Sequence, residues 1–323
     1  MTSAHRRGAD ARSRIHQALQ TFHGLEAAPW DIPQDRRAIA RRADPPDARG
    51  PVRMAVGPSN CLREYTLHHA RLRLLLHAWM RGWSPTADSK ETRMRSPAFR
   101  LLSYPFDGHG PVWPGNPPNA EVQSVHAIAD GDDANTSAIR LFSHSGTHVD
   151  APLHFNPDGP AAHELPVDSF VFTSPRIVDV PKPNGGFITI PDLAAWASTL
   201  AAADLVLLRT GWGRMRDVEP QRYALEGPLL HPDAAELLVT EYPGMRAVAI
   251  EAISIGSPRH RVESVRTHHI LTGVGRDDGR FVLIYEDVRV DADLPEPTRV
   301  YAWPLYVSGA DGTPCTIVAE LPP

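Results

Sequence analysis

The stretch that decides the reading is Ser143-His144-Ser145-Gly146-Thr147-His148-Val149-Asp150-Ala151-Pro152-Leu153-His154-Phe155. It sets three histidines and an aspartate within one short segment. Imidazole and carboxylate together suit zinc, manganese or iron without any thiolate. An H-x3-H spacing fits one face of a helix, but Gly146, Thr147 and Val149 are poor helix residues. A strand end and turn fits better. On a strand, His148 and Asp150 project to the same side, and Gly146 lets the backbone curl so that His144 joins them. Pro152 stiffens the exit. A lone histidine reads as a packing or surface residue; four metal-competent side chains around a glycine turn read as a metal site.

Outward from this segment the chain reads as one α/β domain over residues 96–323, preceded by an Arg-rich extension over 1–95. Strands are expected at Phe99–Tyr104, Ser137–Ser143, within Phe170–Val180, and at Asp204–Thr210, Arg246–Ile253, Arg280–Val288 and Arg299–Val307. A last strand lies near Cys315–Ala319. Helices are expected from Ile190-Pro191-Asp192, from His231-Pro232-Asp233 to about Glu241, and over Val265–Leu271, ending near Gly273. The extension carries 17 Lys+Arg against 9 Asp+Glu, although the whole chain has a net charge of -5. Its Leu62–Met80 run has the spacing of an amphipathic helix.

Several function classes are excluded. The acidic body lacks the basic face that phosphate neutralisation needs, so no nucleic-acid partner is expected. No apolar run approaches a membrane span, and the start has no apolar stretch of signal-peptide type, which together point to a cytoplasmic protein with no membrane partner. With only Cys61 and Cys315, neither a disulfide scaffold nor a cysteine zinc cluster can form. There is no G-x-S-x-G elbow and no phosphate-binding glycine loop.

The pattern H-x-G-T-H-x-D-x-P-x-H, met at every fixed position by His144–His154, resembles the signature of the cyclase-like metal-dependent hydrolases. That group includes bacterial kynurenine formamidase, isatin hydrolase and proteins called polyketide cyclases. The resemblance spans roughly residues 100–323. Pro111-Val112-Trp113-Pro114-Gly115-Asn116-Pro117 resembles the family's substrate loop, Leu207–Trp212 its L-L-R-T-G-W strand end, and Gly309-Ala310-Asp311-Gly312-Thr313-Pro314 its closing hairpin.

The resemblance implies a swivelling β/β/α fold, a mixed sheet with flanking helices, working as a homodimer on a small-molecule substrate. It implies that His144, His148 and Asp150 are metal ligands, with His268, or His269 in its place, and Glu286 completing a site for two divalent ions, zinc or manganese. His154, four residues beyond Asp150, is the candidate general acid/base, and Trp113 the candidate to stack on a flat substrate. The implied reaction is hydrolysis of an amide-type bond in an arylformamide or a cyclic amide. A cyclase or dehydratase acting on a polyketide-like substrate, or an inactive metal-binding homologue, are the alternatives. Two departures bear on this. The 275–280 segment lengthens the path from His268 to Glu286, and Glu251-Ala252-Ile253-Ser254-Ile255-Gly256 stands where the family has D-T-P-S-[IV]-D.

Overall fold

Strand alternation decides how this chain packs. In a computed structural model that describes residues 98–183 and 185–323, Asp204–Thr210 forms strand β8 (Leu205–Arg209). Leu205 and Leu207 face one apolar core, and Val206 and Leu208 face another. A strand buried on both sides reads as a continuous apolar run, as this one does. The same division repeats in β10 (Ala247–Ile250) and β11 (Leu283–Glu286). There Ala247, Ala249, Leu283 and Tyr285 join the first core, and Val248, Ile250 and Ile284 join the second.

The main sheet runs β5 (Val171–Phe172), β12 (Arg299–Pro304), β13 (Gly312–Leu321), β4 (His148–Asp150), β11, β10, β8, β6 (Pro175–Asp179), with β1 (Ala98–Leu101) also paired to β13. Strands β6, β8, β10 and β11 are parallel; β4, β13, β12 and β5 continue antiparallel. The two edge strands, β5 and β6, are separated in sequence only by Thr173-Ser174. The sheet therefore curls until its edges nearly meet. Phe172, Ile177, Leu207, Ala249, Tyr285, Val149, Ile317 and Val300 all point into one enclosed core, with Phe172 and Tyr285 edge-to-face at 6.0 Å. The expected single strand in Phe170–Val180 is thus two strands. Asp204 makes the break, because its carboxylate accepts the backbone N–H groups of Thr173 and Ser174 at 2.8 and 3.0 Å.

The outer face of the parallel half is covered by helices. Short helices α1 (Ile190–Ala194), α2 (Ala197–Ala201), α3 (Met215–Val218) and α4 (Pro220–Glu226) precede α5 (Pro232–Glu241) and α6 (Arg261–Leu271). Helix α1 opens at Ile190 with Pro191 in its first turn, as the sequence leads one to expect, and the structure adds a Thr189/Asp192 capping box. Helix α6 begins four residues earlier than its apolar pattern indicates. Pro258 starts a 3-10 turn over Pro258–His260. The Ser264 hydroxyl donates to the carbonyls of Ser257 and His260, so the turn runs directly into the helix. The fold is α/β, a mixed, nearly closed sheet with flanking helices, as expected. Two small sheets stand apart from it, the hairpin β2 (Ala120–His126) with β3 (Thr136–Leu141), and β7 (Gly186–Ile188) with β9 (Pro228–Leu230). The readings made for 1–95 lie outside the described residues. Among those described, no helix is long and apolar enough to cross a membrane.

Candidate metal centre

Strand β4 lies between β13 and β11, with His148 opposite Glu286 and Pro314, and Asp150 opposite Ile284 and Gly312. Directly opposed residues share a face. Val149 points into the enclosed core, so His148, Asp150 and Glu286 all point to the outer side. There α6 brings His268, which is buried with them. His144 reaches the same place from the turn before β4, at Gly146, whose φ of 61° is left-handed. Gly312 makes room for it, since a Cβ there would lie 2.4 Å from His144 Cε1.

His148 Nε2 lies 3.3 Å from Asp150 Oδ1 and 3.4 Å from Glu286 Oε2. His268 Nε2 lies 3.4 Å from Glu286 Oε1 and 3.8 Å from Asp150 Oδ2. His144 Nδ1 lies 2.8 Å from Asp150 Oδ1. The outer ring nitrogens settle which atoms face inward. His148 Nδ1–H donates to the Gly146 carbonyl at 2.8 Å, and His268 Nδ1–H to the Ser264 carbonyl at 2.7 Å. A carbonyl can only accept, so in both residues Nε2 is the atom turned to the carboxylates. Glu286 Oε1 accepts from the Ser254 hydroxyl at 2.8 Å and from the Ile255 N–H at 2.7 Å. Ser254 and Ile255 are the two positions of the divergent 251–256 segment that match the family strictly.

The electrostatics of the cluster are those of carboxylates that demand positive charge. Burial opposes ionisation of Asp150, but His154, His144 and His148 outweigh it and hold its carboxyl well below the usual range. For Glu286, burial and the charge of Asp150 push upward, and bonds from His148 and His268 bring it down to about 2. Burial pushes the His144 imidazolium down, and Asp150 and Asp311 overcome it, leaving His144 at about 9. His148 is raised in the same way by Asp150 and Glu286 against burial.

One residue of the centre escapes sequence reasoning. Asp311, just before β13, places Oδ2 2.9 Å from His144 Nε2 and 3.0 Å from His154 Nδ1. Its backbone carbonyl also accepts the Ala151 N–H at 2.9 Å. His154 ends a 3-10 turn over Pro152–His154 and stacks on His144 with centroids 3.7 Å apart. With Nδ1 turned to Asp311, its Nε2 makes no hydrogen bond among the described residues. The signal for Asp311 was the G-A-D-G-T-P run, which reads as a hairpin from local turn chemistry. His163 supports that turn by accepting the Gly309 N–H at 3.1 Å.

Three groups of side chains bring one donor atom each within 4.8 Å of one another: His144/His148/Asp150, Asp150/His268/Glu286 and His144/His154/Asp311. His268 rather than His269 belongs to them; burial and the neighbouring His268 push His269 down. The long 275–280 segment does not separate His268 from Glu286, whose Nε2 and Oε1 lie 3.4 Å apart; within the segment Arg276 pairs with Asp278 at 2.9 Å. Trp113 is half-buried and packs against the helix-side core. Trp212 is fully buried, with its indole N–H donating to the Tyr223 carbonyl at 3.3 Å.

Residues 101–257 match the family model described as "Putative cyclase". The kynurenine formamidase of Maricaulis maris is 30% identical over 215 residues, 66% of this chain and 93% of that protein. The chain belongs to the cyclase family. Among solved structures, isatin hydrolase A from Labrenzia aggregata superposes with a TM-score of 0.61 at 21% identity, covering 70% of this chain and 94% of that one. A protein from Bacillus stearothermophilus described as a "predicted metal-dependent hydrolase" superposes with a TM-score of 0.53 at 26% identity, covering 69% and 98%. The matched residues include His144–His154, and in this chain's own fold His268 and Glu286 lie beside them.

Proposed function

We propose that this protein is a metal-dependent hydrolase that opens an amide-type C–N bond, in an arylformamide such as N-formylkynurenine or a cyclic amide such as isatin. The observation that carries the reading is Asp150 Oδ2, which is buried without any hydrogen-bond partner in the middle of His144, His148, His268 and Glu286. An orphaned carboxylate oxygen at the focus of four further donors fits a cation. The all-nitrogen-and-oxygen set suits zinc or manganese. His144, His148 and Asp150 would hold one ion; Asp150, His268 and Glu286 would hold a second.

Bound there, a divalent ion supplies Lewis-acid chemistry, lowering the pKa of water towards ~7 and polarising a carbonyl. The chain's own residues supply the proton traffic. Asp311 holds His154 by Nδ1 and so presents Nε2, which takes the proton from the attacking water and returns it to the leaving nitrogen. His154 keeps a quarter of its side chain exposed, which lets it exchange protons with solvent. Trp113 offers a flat apolar surface for an aromatic substrate. The proposal includes a homodimer. Hairpin β2–β3 is almost wholly exposed, with the cross-strand pair Val122 and Ile139 open to solvent, and a two-stranded hairpin standing alone in water is marginal.

The test is metal content per chain after purification without chelators, alongside turnover of N-formylkynurenine and isatin, with sedimentation velocity for the assembly. About two ions per chain and turnover of either compound are expected. Protein free of metal, and unable to take it up, would refute the reading.

A further inference from the structure

Immediately after Glu286 the backbone does something unusual. Asp287 is the one non-glycine residue with positive φ among those described, at 50°, and it is buried. Aspartate tolerates the left-handed region better than most residues. Such a conformation still persists only where its surroundings over-determine it, and here they do. Arg216 donates through Nε to Asp287 Oδ1 at 2.8 Å and through Nη2 to Oδ2 at 2.9 Å. The Tyr223 hydroxyl donates to Oδ1 at 2.6 Å. The Asp287 N–H donates to the Ala252 carbonyl at 2.8 Å. Its own carbonyl accepts the Thr147 hydroxyl at 2.6 Å. Arg216 is stacked in turn, its guanidinium carbon 3.9 Å from the Tyr104 ring centroid.

These bonds converge on segments that carry the proposed ligands. Thr147 precedes His148. Ala252 opens the turn whose Ser254 and Ile255 hold the Glu286 carboxylate. Glu286 itself is the preceding residue. We propose that Asp287, clamped by Arg216 and Tyr223, is a positioning residue that fixes the end of β11 so that the Glu286 carboxylate faces Asp150 and His268. None of the three side chains belongs to the donor groups of the centre, so the clamp acts through Glu286. This inference rests on the metal reading above. Loss of a partner that orients a ligand typically weakens metal binding by about 10- to 100-fold.

The experiment is zinc binding by competition with a chromogenic chelator, with thermal melts of the metal-free proteins as a control for folding. Wild type is expected to bind two ions. Arg216→Met, Asp287→Asn and Glu286→Gln are each expected to weaken the second ion by about 10- to 100-fold, and Tyr223→Phe by less. The double variant R216M/E286Q should lose no more than E286Q alone. Asp287→Gly relieves the backbone but removes the clamp, and should behave like D287N. Should R216M fold poorly, D287N and Y223F carry the comparison. Wild-type affinity in folded R216M and D287N, or in D287G, overturns the clamp. Additive loss in the double variant overturns the route through Glu286. A wild-type chain that takes up no zinc overturns the metal reading, and this inference with it.

Discussion

Glu251 stands at the end of β10, only 4% exposed, where the family has aspartate. Burial pushes its carboxyl up from 4.5 to about 7, against hydrogen bonds from the Gly211 N–H and the Thr210 hydroxyl. Unfolded glutamate ionises near 4.5. Between these values the folded chain holds a proton that the unfolded chain has released, so stability falls as pH rises from 4.5 to 7 and stays low above that. A separation of this size corresponds to ~3 kcal/mol at pH 8. Glu251→Gln removes the ionisable group while keeping an acceptor for Gly211 and Thr210. Near pH 4.5 the two proteins should unfold alike. At pH 8 the variant should be more stable by ~3 kcal/mol, or about 10 °C in Tm for a domain of this size. Urea unfolding with metal chelated, at matched ionic strength and both pH values, measures it. If E251Q is no more stable at pH 8, the folded chain does not hold the Glu251 proton any longer than the unfolded chain does, and its donors offset its burial.

Replacing His154 with alanine should lower kcat by roughly 10²- to 10⁴-fold with zinc content unchanged; undiminished turnover would remove it from the proton path. Gly312→Ala drives a Cβ against His144 Cε1 and to 2.7 Å from the Val149 carbonyl. It should cost about 1–3 kcal/mol, seen in urea titration, and weaken metal binding. Asp204→Ala removes the acceptor of Thr173, Ser174 and Arg246, and should destabilise the fold by about 2–3 kcal/mol. A change within about 0.5 kcal/mol would show that water replaces it. Chelation should lower Tm, because an ion present at 1,000 times its Kd contributes about 4 kcal/mol; that shift should vanish in Asp150→Asn.

What could be read from the sequence follows from what is local. His144, His148, Asp150 and His154 share one turn and a three-residue strand, so their spacing alone exposes them. His268 and Glu286 become visible only by resemblance, since nothing in their own surroundings differs from an ordinary helix and strand. Asp311 stays hidden because its partners lie far away in sequence, and its G-A-D-G context satisfies turn rules without it. The clamp on Asp287 is hidden for a related reason. Asp287 falls inside the strand expected over Arg280–Val288, which ends in fact at Glu286, and Arg216 and Tyr223 lie on short helices whose apolar pattern is too brief to show an inward arginine. Strands β8 and β10 were legible because both faces are buried. Hairpin β2–β3 was half seen, because β2 mixes polar and apolar residues on exposed faces.

The strand order also dictates when the centre can exist during synthesis. Strand β4 has two neighbours, β11 and β13, and both leave the ribosome long after it does. Ala98, at the start of the described chain, waits for Leu321. Nearly every pairing around β4 is remote in sequence, a topology in which loop closure precedes any gain from contacts and folding is slow. His144, His148 and Asp150 are therefore made long before the strands that flank them, and Asp311 follows later still than Glu286 on β11. A nascent chain stalled before β13 would carry the whole histidine motif and no enclosed centre, because β4 gains its second neighbour only when β13 pairs between it and β12.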